Sequence, residues 1–132
     1  MCDKEGLLSG LRCLVLDDEL LIALDIQQIL EMAGVVVMSV GNAAEALAAL
    51  QAKSRFDFAI LDVMLNGTVG NSLAVASALL EQRIPFVFLT GMRPQDMQHI
   101  VRFPNAPVVE KPYQTAVLLE AVARALADNA AK

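Results

Sequence analysis

The stretch LRCLVLDDE, residues 11–19, determines which fold the chain can adopt. Its first six residues are almost continuously apolar, which is typical of a strand that is buried on both faces of a parallel sheet. An acidic run, residues 17–19, ends the strand. Apolar residues at helical spacing follow over residues 20–33, and Gly34 occupies the usual place for a helix end. The stretch therefore predicts a β-strand, an acidic turn and a helix.

The same pairing of a short apolar run with a helical pattern recurs four more times along the chain. The apolar runs predict strands over residues 35–40, 58–61, 85–89 and 107–109. The helical patterns lie over residues 43–52, 72–81, 94–102 and 115–127, with Asn42 and Ser72 as N-caps. Five β-α units in succession predict an α/β domain whose parallel sheet is covered by helices on both faces.

Length and composition indicate one globular domain. The chain has 132 residues, and its 56% of hydrophobic against 19% of charged residues excludes intrinsic disorder. We expect residues 1–10 to be a polar lead-in, residues 11–127 to form the domain and residues 128–132 to fray. The net charge of −5 and the absence of a Lys/Arg cluster argue against direct binding of nucleic acid.

The sequence carries no evident targeting or membrane signal. Its polar first residues do not begin a signal peptide. The longest uncharged stretch, residues 63–80, is long enough to span a membrane, but its Asn, Gly and Thr residues indicate a loop leading into a helix. Cys2 and Cys13 are too few and too poorly spaced for a disulfide framework or a zinc site. We therefore expect a cytoplasmic protein with no membrane partner.

Polar side chains follow four of the five predicted strands, at the point where each strand ends: Asp17 and Asp18, Asp62, Thr90, and Lys111. Because ligands bind outside the carboxyl ends of the strands in open α/β sheets, we expect these side chains to form one site. Two carboxylates about 4 Å apart repel by roughly 4 kcal/mol at an effective dielectric near 20, so the acidic group needs a cation. Oxygen ligands of this kind favour Mg²⁺, and the lysine and hydroxyl suit a tetrahedral dianion.

Four short segments carry these residues in order along the chain: Leu16-Asp17-Asp18-Glu19, Ile60-Leu61-Asp62, Leu89-Thr90 and Lys111-Pro112-Tyr113. In this order and at this spacing they resemble the motifs of the response-regulator receiver domain of bacterial two-component signalling. The resemblance spans nearly the whole chain. It implies a flavodoxin-like (βα)5 doubly wound fold with strand order 2-1-3-4-5.

The resemblance also implies the roles of the acidic residues. Asp62 is expected to be the phosphoacceptor. Asp17 and Asp18 are expected to hold Mg²⁺ together with Asp62 and the backbone carbonyl of Met64. A magnesium ion in such a site would neutralise oxygens of the incoming phosphoryl group.

Four further residues receive roles from the resemblance. Thr90 is expected to hydrogen-bond the phosphoryl group, and Lys111 to pair with it. Gly91 and Pro112 are expected to shape the loops that carry them. The resemblance further implies that the Lys111–Pro112 peptide bond is cis, an isomer that X-Pro bonds tolerate.

The function implied is phosphotransfer signalling. A histidine kinase or a histidine phosphotransfer protein would donate the phosphoryl group, and a protein target that the sequence does not identify would receive the signal. No output domain follows the last predicted helix, so we expect a single-domain regulator that acts through protein contacts. We expect no enzymatic activity beyond Mg²⁺-dependent self-phosphorylation and self-dephosphorylation.

Three positions depart from the family pattern. Val108 occupies a place where most receivers have an aromatic switch residue, so signal output must use other contacts. The segment Phe88-Leu89-Thr90-Gly91-Met92 resembles the Phe-Ala-Thr-Gly-Tyr motif of an alphaproteobacterial subgroup of often stand-alone receivers, with Met92 in place of tyrosine. Asn66-Gly67-Thr68 stands where Pro-Gly is common, which leaves the conformation of that loop open.

Other interpretations remain at this point. The chain could be a receiver-like module that binds partners without phosphorylation. A phosphohydrolase with an aspartyl nucleophile is disfavoured, because Met64 replaces the second Asp that serves as general acid. Asp17 and Asp18 could merely cap the first helix, but this leaves Asp62 and Lys111 unexplained. His99 is expected to be a surface residue rather than a phosphodonor.

Overall fold

The structure is a computed structural model that describes residues 6, 8–52, 55–63, 70–91 and 94–130, without the side chains of residues 70, 71, 94, 95, 99 and 130. Within these ranges five strands alternate with five helices: β1 (Arg12–Leu16), α1 (Leu20–Met32), β2 (Val36–Val40), α2 (Ala43–Gln51), β3 (Phe58–Asp62), α3 (Gly70–Glu81), β4 (Phe86–Thr90), α4 (Pro94–Ile100), β5 (Val108–Glu110) and α5 (Thr115–Ala130). The strands are parallel and lie in the order β2-β1-β3-β4-β5. The predicted flavodoxin-like (βα)5 fold is confirmed.

The register of the strands brings polar residues together at one edge of the sheet. Leu16 of β1 pairs with Leu61 of β3. Asp17 and Asp62 therefore follow in adjacent positions on neighbouring strands. On the other side of β3, Asp62 pairs with Leu89, so the carboxyl end of β4 lies beside it.

Side chains of the central strands alternate between two apolar cores. In β1, Cys13 and Val15 belong to the core that includes residues of α1 and α5, whereas Leu14 and Leu16 belong to the core that includes residues of α2, α3 and α4. All four side chains are completely buried. Because successive residues of a strand point to opposite faces, a sheet with a core on each face requires an unbroken apolar run. This is the pattern that the sequence shows.

The structure corrects several predicted boundaries. Leu8 lies in the segment expected to be a polar lead-in, yet it is fully buried in the core with α1 and α5. Helix α3 begins at Gly70, so Ser72 lies inside the first turn and is not the N-cap. Helix α4 ends at Ile100 and helix α5 continues to Ala130, against predicted ends at residues 102 and 127. In the described ranges, no helix is both long and apolar enough to cross a membrane.

Helix α1 ends in a backbone conformation that favours glycine. Gly34 has φ = 89° and donates its N–H to Glu31, while Val35 donates to Leu30. This pair of bonds is the Schellman arrangement, in which a left-handed residue follows the helix. A Cβ atom at Gly34 would lie 2.8 Å from Oγ and 3.0 Å from Cα of Ser9. Both the left-handed backbone and the close approach of Ser9 therefore disfavour a side chain here.

We expect Gly34→Ala to lower the free energy of unfolding by about 2 kcal/mol or more, because alanine meets both the left-handed penalty and Ser9. Urea denaturation measures this loss. Gly10 provides a matched control, since it has φ = 84° but no atom of the described residues beyond its chain neighbours lies within 4 Å of the position that its Cβ would take. Gly10→Ala should lose only about 1 kcal/mol. Equal losses in the two variants would show that Ser9 relaxes without cost.

Candidate functional site

Three carboxylates meet at the carboxyl edge of the sheet. Asp17 and Asp18 follow β1, and Asp62 is the last residue of β3. One oxygen from each of the three lies within 4.8 Å of the others. Asp17 and Asp62 are buried, whereas Asp18 is exposed. The predicted acidic cluster is therefore present, with its exposed member towards solvent.

Asp17 is held in a fixed orientation that leaves one oxygen without a hydrogen bond. Its Oδ1 accepts the backbone N–H of Glu19 at 2.8 Å. Its Oδ2 is buried and has no hydrogen-bond partner among the described residues. Burial raises the pKa of Asp17, while the Glu19 N–H and the charge of Lys111 act in the opposite direction. A buried carboxylate oxygen that accepts no hydrogen bond is suited to contact a cation.

Lys111 places its ammonium group among these carboxylates. Its Nζ lies 3.2 Å from Oδ1 of Asp62, 3.7 Å from Oδ2 of Asp17 and 3.6 Å from Oε1 of Glu19. Its backbone N–H donates to the carbonyl of Thr90 at 2.8 Å, which fixes the start of the loop after β5. Burial alone would lower the pKa of Lys111, but the charges of Asp62 and Asp17 outweigh it, and the pKa is raised. The lysine is therefore firmly cationic.

The loop that carries Lys111 has two further features. The Lys111–Pro112 peptide bond is cis, as the resemblance implies. Tyr113 donates its hydroxyl to Oδ2 of Asp25 at 2.6 Å, which joins this loop to helix α1. Burial first, and the acceptor Asp25 second, raise the pKa of Tyr113. The sequence left the role of Tyr113 open and gave no signal for Asp25, which is 88 residues away.

Thr90 lies at the carboxyl end of β4, beside the acidic cluster, but its hydroxyl is engaged elsewhere. Its Oγ1 donates to Oδ2 of Asp96 at 2.8 Å. Both residues are 1% exposed. Asp96 belongs to the first turn of α4. Sequence reasoning missed Asp96, because a single acidic residue in a short polar helix is typical of a solvated surface.

The donor set fits Mg²⁺. Its oxygen-only character matches the preference of this hard cation, and the buried Oδ2 of Asp17 has no hydrogen-bond partner among the described residues. Two ligands on opposite sides of Mg²⁺ are about 4.2 Å apart, twice the ordinary bond length. The three carboxylate oxygens lie within 4.8 Å of one another, which is close to this spacing.

The remaining predicted residues fall into two groups. Met64, Asn66-Gly67-Thr68 and Met92 lie outside the described residues, as does the side chain of His99. Gly91 and Pro112 are exposed at the carboxyl edge, next to Thr90 and Lys111. Val108 is half-buried and packs against the core beneath α4.

Solved structures of other proteins share this fold. The response regulator receiver protein of Sinorhizobium medicae is 26% identical, with a TM-score of 0.80 over 92% of this chain and 98% of that chain. A CheY-like receiver domain protein of Methanospirillum hungatei is 25% identical, with a TM-score of 0.79 over 93% of this chain and 98% of that chain. A search of curated proteins found no match.

A third structure is similar in fold. It is the receiver domain of a sensor histidine kinase from Pseudomonas aeruginosa, which is 20% identical, with a TM-score of 0.77 over 90% of this chain and 99% of that chain. In that protein a magnesium ion is coordinated in the active-site cleft.

A family model gives the most direct comparison. The model of the response regulator receiver domain matches residues 13–123. This range includes the three carboxylates of the acidic cluster, together with Thr90 and Lys111. The chain therefore belongs to the response regulator receiver family.

Proposed function

We propose that this chain is a response regulator in which Asp62 accepts a phosphoryl group, in a Mg²⁺-dependent reaction, from a histidine kinase or a histidine phosphotransfer protein. The signal then passes to a protein target through contacts of the domain surface. One observation carries the proposal. The ammonium group of Lys111 lies 3.2 Å from Oδ1 of Asp62 and 3.7 Å from Oδ2 of Asp17, which has no hydrogen-bond partner among the described residues, so a dianion and a cation can be held together here.

Each residue of the site has a separate task in phosphoryl transfer. Asp62 is the nucleophile, and Lys111 fixes its Oδ1 from 3.2 Å. As charge spreads over the equatorial oxygens of the transferred group, the same ammonium neutralises part of it. Asp17 and Asp18 would hold Mg²⁺, which would supply the second positive charge to these oxygens. Positioning and charge neutralisation are the main contributions that this class of reaction needs.

An exposed apolar surface on α1 supports docking of a phosphodonor protein. Leu20, Leu21 and Leu24 are 71%, 82% and 50% exposed. They follow the acidic turn directly, because α1 begins one residue after Glu19. Large exposed apolar groups of this kind are typical of protein interfaces. A donor that covers this surface would bring its phosphohistidine close to Asp62.

The energy available from phosphorylation is sufficient for a switch. Hydrogen bonds to a charged group contribute roughly 1.5–3 kcal/mol each. Moving a two-state equilibrium from 1:99 to 99:1 takes about 5.5 kcal/mol. Two contacts at the upper end of this range, or three near its middle, meet this requirement, and Lys111, Thr90 and backbone amides can supply them.

Intact-mass spectrometry tests the proposal. With Mg²⁺ and a small acyl-phosphate donor, the wild-type protein should gain one phosphoryl group, and Asp62→Asn should gain none. Asp128→Asn is the matched control, since it removes the same charge from an exposed residue near the end of α5. It should be phosphorylated like the wild type. Phosphorylation of Asp62→Asn at the wild-type level would show that the acceptor lies elsewhere.

A further inference from the structure

Two acceptors compete for the hydroxyl proton of Thr90: the carboxylate of Asp96 and a phosphoryl group on Asp62. A threonine hydroxyl has a single proton to donate. In this structure that proton goes to Oδ2 of Asp96 at 2.8 Å. The same proton cannot serve an oxygen of a phosphoryl group on Asp62 at the same time. Thr90 must therefore leave Asp96 before it can bind the phosphorylated site.

We propose that Asp96 is a positioning residue that retains Thr90 in the resting state and thereby opposes activation. The proposal rests on the proposed function, because it concerns the response to phosphorylation of Asp62. When a phosphoryl group attracts the Thr90 hydroxyl, the bond to Asp96 breaks. The carboxylate of Asp96 then loses the Thr90 hydroxyl, and the first turn of α4, which carries Asp96, rearranges.

The helix that carries Asp96 connects this bond to the core beneath it. Asp96 lies in the first turn of α4, whose later residues Met97 and Ile100 pack on the core beneath the helix. Val108, at the position where most receivers have an aromatic switch residue, packs on that same core. The Thr90–Asp96 bond thus links the site to α4 directly, without an aromatic side chain at residue 108.

The expected gain in affinity for a phosphoryl mimic follows from the strength of the Thr90–Asp96 hydrogen bond. A hydrogen bond to a buried carboxylate is stronger than one between neutral groups, and its loss shifts an equilibrium by about tenfold or more. Removing the acceptor should therefore strengthen binding of a phosphoryl mimic by about that factor. Asparagine at residue 96 keeps an acceptor oxygen without the charge, so its effect should be intermediate.

The experiment measures the affinity of the full chain for beryllofluoride in the presence of Mg²⁺. Asp96→Ala should bind it about tenfold more tightly than the wild type, and Asp96→Asn to an intermediate degree. The ¹³C shift of the Thr90 methyl group, recorded without ligand, should change in both variants. It should not change in Asp128→Asn, which controls for the loss of one negative charge. Thermal denaturation identifies any variant that is not folded, and Asp96→Asn then replaces Asp96→Ala.

Repeating the measurement in a Thr90→Val background separates loss of the Thr90–Asp96 hydrogen bond from loss of the Asp96 charge. Loss of a nearby negative charge would strengthen anion binding whatever residue 90 is. We therefore expect the effect of Asp96→Ala to disappear in Thr90→Val, which has no proton to donate. An effect of equal size in that background, or an unchanged affinity in Asp96→Ala with native Thr90, would overturn the proposal. Failure of the wild type itself to bind beryllofluoride would instead overturn the proposed function, and the competition with it.

Discussion

Replacing Lys111 with methionine is expected to slow phosphorylation of Asp62 by about 100-fold or more, the usual loss when a group that stabilises developing charge is removed. The ammonium group lies 3.2 Å from the nucleophilic carboxylate and would contact the oxygens of the transferred group. Methionine has a similar length and no charge. The rate of mass gain with a small acyl-phosphate donor measures the effect.

The same variant should bind Mg²⁺ more tightly. Lys111 lies within 4 Å of carboxylate oxygens of Asp17 and Asp62, so it and a metal ion compete for the same negative charge. Without the lysine, the carboxylates repel one another more strongly, and Mg²⁺ relieves this repulsion. Opposite changes in metal affinity and transfer rate distinguish loss of the charge from misfolding. If Lys111→Met both bound Mg²⁺ more weakly and were phosphorylated more slowly, the assigned role of Lys111 would be contradicted.

The raised pKa of Lys111 determines the pH range over which the side chain stays protonated. Its pKa is raised in the folded protein. A cation with a raised pKa contributes stability that is fully present below its unfolded pKa and is lost as pH rises through the folded value. Lys111 therefore stays protonated throughout the neutral range. Any change in phosphorylation rate between neutral and mildly alkaline pH must come from another group.

Much of the site could be predicted from the sequence because a parallel sheet allows few arrangements. Once β1 and β3 are neighbours with their carboxyl ends together, residues that end them must meet, whatever their separation along the chain. Asp17 and Asp62 are such residues, and so are Thr90, the last residue of β4, and Lys111, which directly follows β5. The ladder register confirms these positions without reference to side-chain conformation.

Contacts that depend on rotamers and on irregular segments could not be predicted. The family resemblance assigns Thr90 to the phosphoryl group, but in this structure its hydroxyl bonds to Asp96, six residues along the chain. Nothing in the pattern of a short polar helix distinguishes a buried carboxylate from a solvated one. The same holds for the bond from Tyr113 to Asp25, and for the burial of Leu8 in a segment expected to be polar. Such pairings follow from tertiary packing and leave no periodic signal.

The acidic cluster that makes the site useful should also make the metal-free protein less stable. Burial raises the pKa of Asp17, so the folded state favours the protonated carboxyl. For an acid with a raised folded pKa, stability falls as pH rises from the unfolded value through the folded one. At neutral pH the ionised Asp17 is therefore a net destabilising group unless a cation is bound.

We expect Asp17→Asn to raise the free energy of unfolding of the metal-free protein at neutral pH by about 1 kcal/mol, the common size of a single-substitution effect. Asparagine keeps an oxygen that can accept the Glu19 N–H and removes the buried charge. The gain should vanish at acidic pH, below the unfolded pKa, where the wild-type carboxyl is protonated in both states. Urea denaturation at the two pH values measures it.

Addition of Mg²⁺ should make the wild type more stable than Asp17→Asn. A ligand at 100 times its Kd stabilises the protein that binds it by about 2.7 kcal/mol. The wild type should gain this amount, whereas Asp17→Asn lacks a buried ligand oxygen and should gain much less. For the metal-free comparison, Asp18→Asn is the control. Asp18 is exposed, so removing its charge should raise the free energy of unfolding less than Asp17→Asn does. If Mg²⁺ stabilised Asp17→Asn as much as the wild type, Asp17 would not be a ligand. If metal-free Asp17→Asn were the less stable protein, Lys111 would be compensating the buried charge in full.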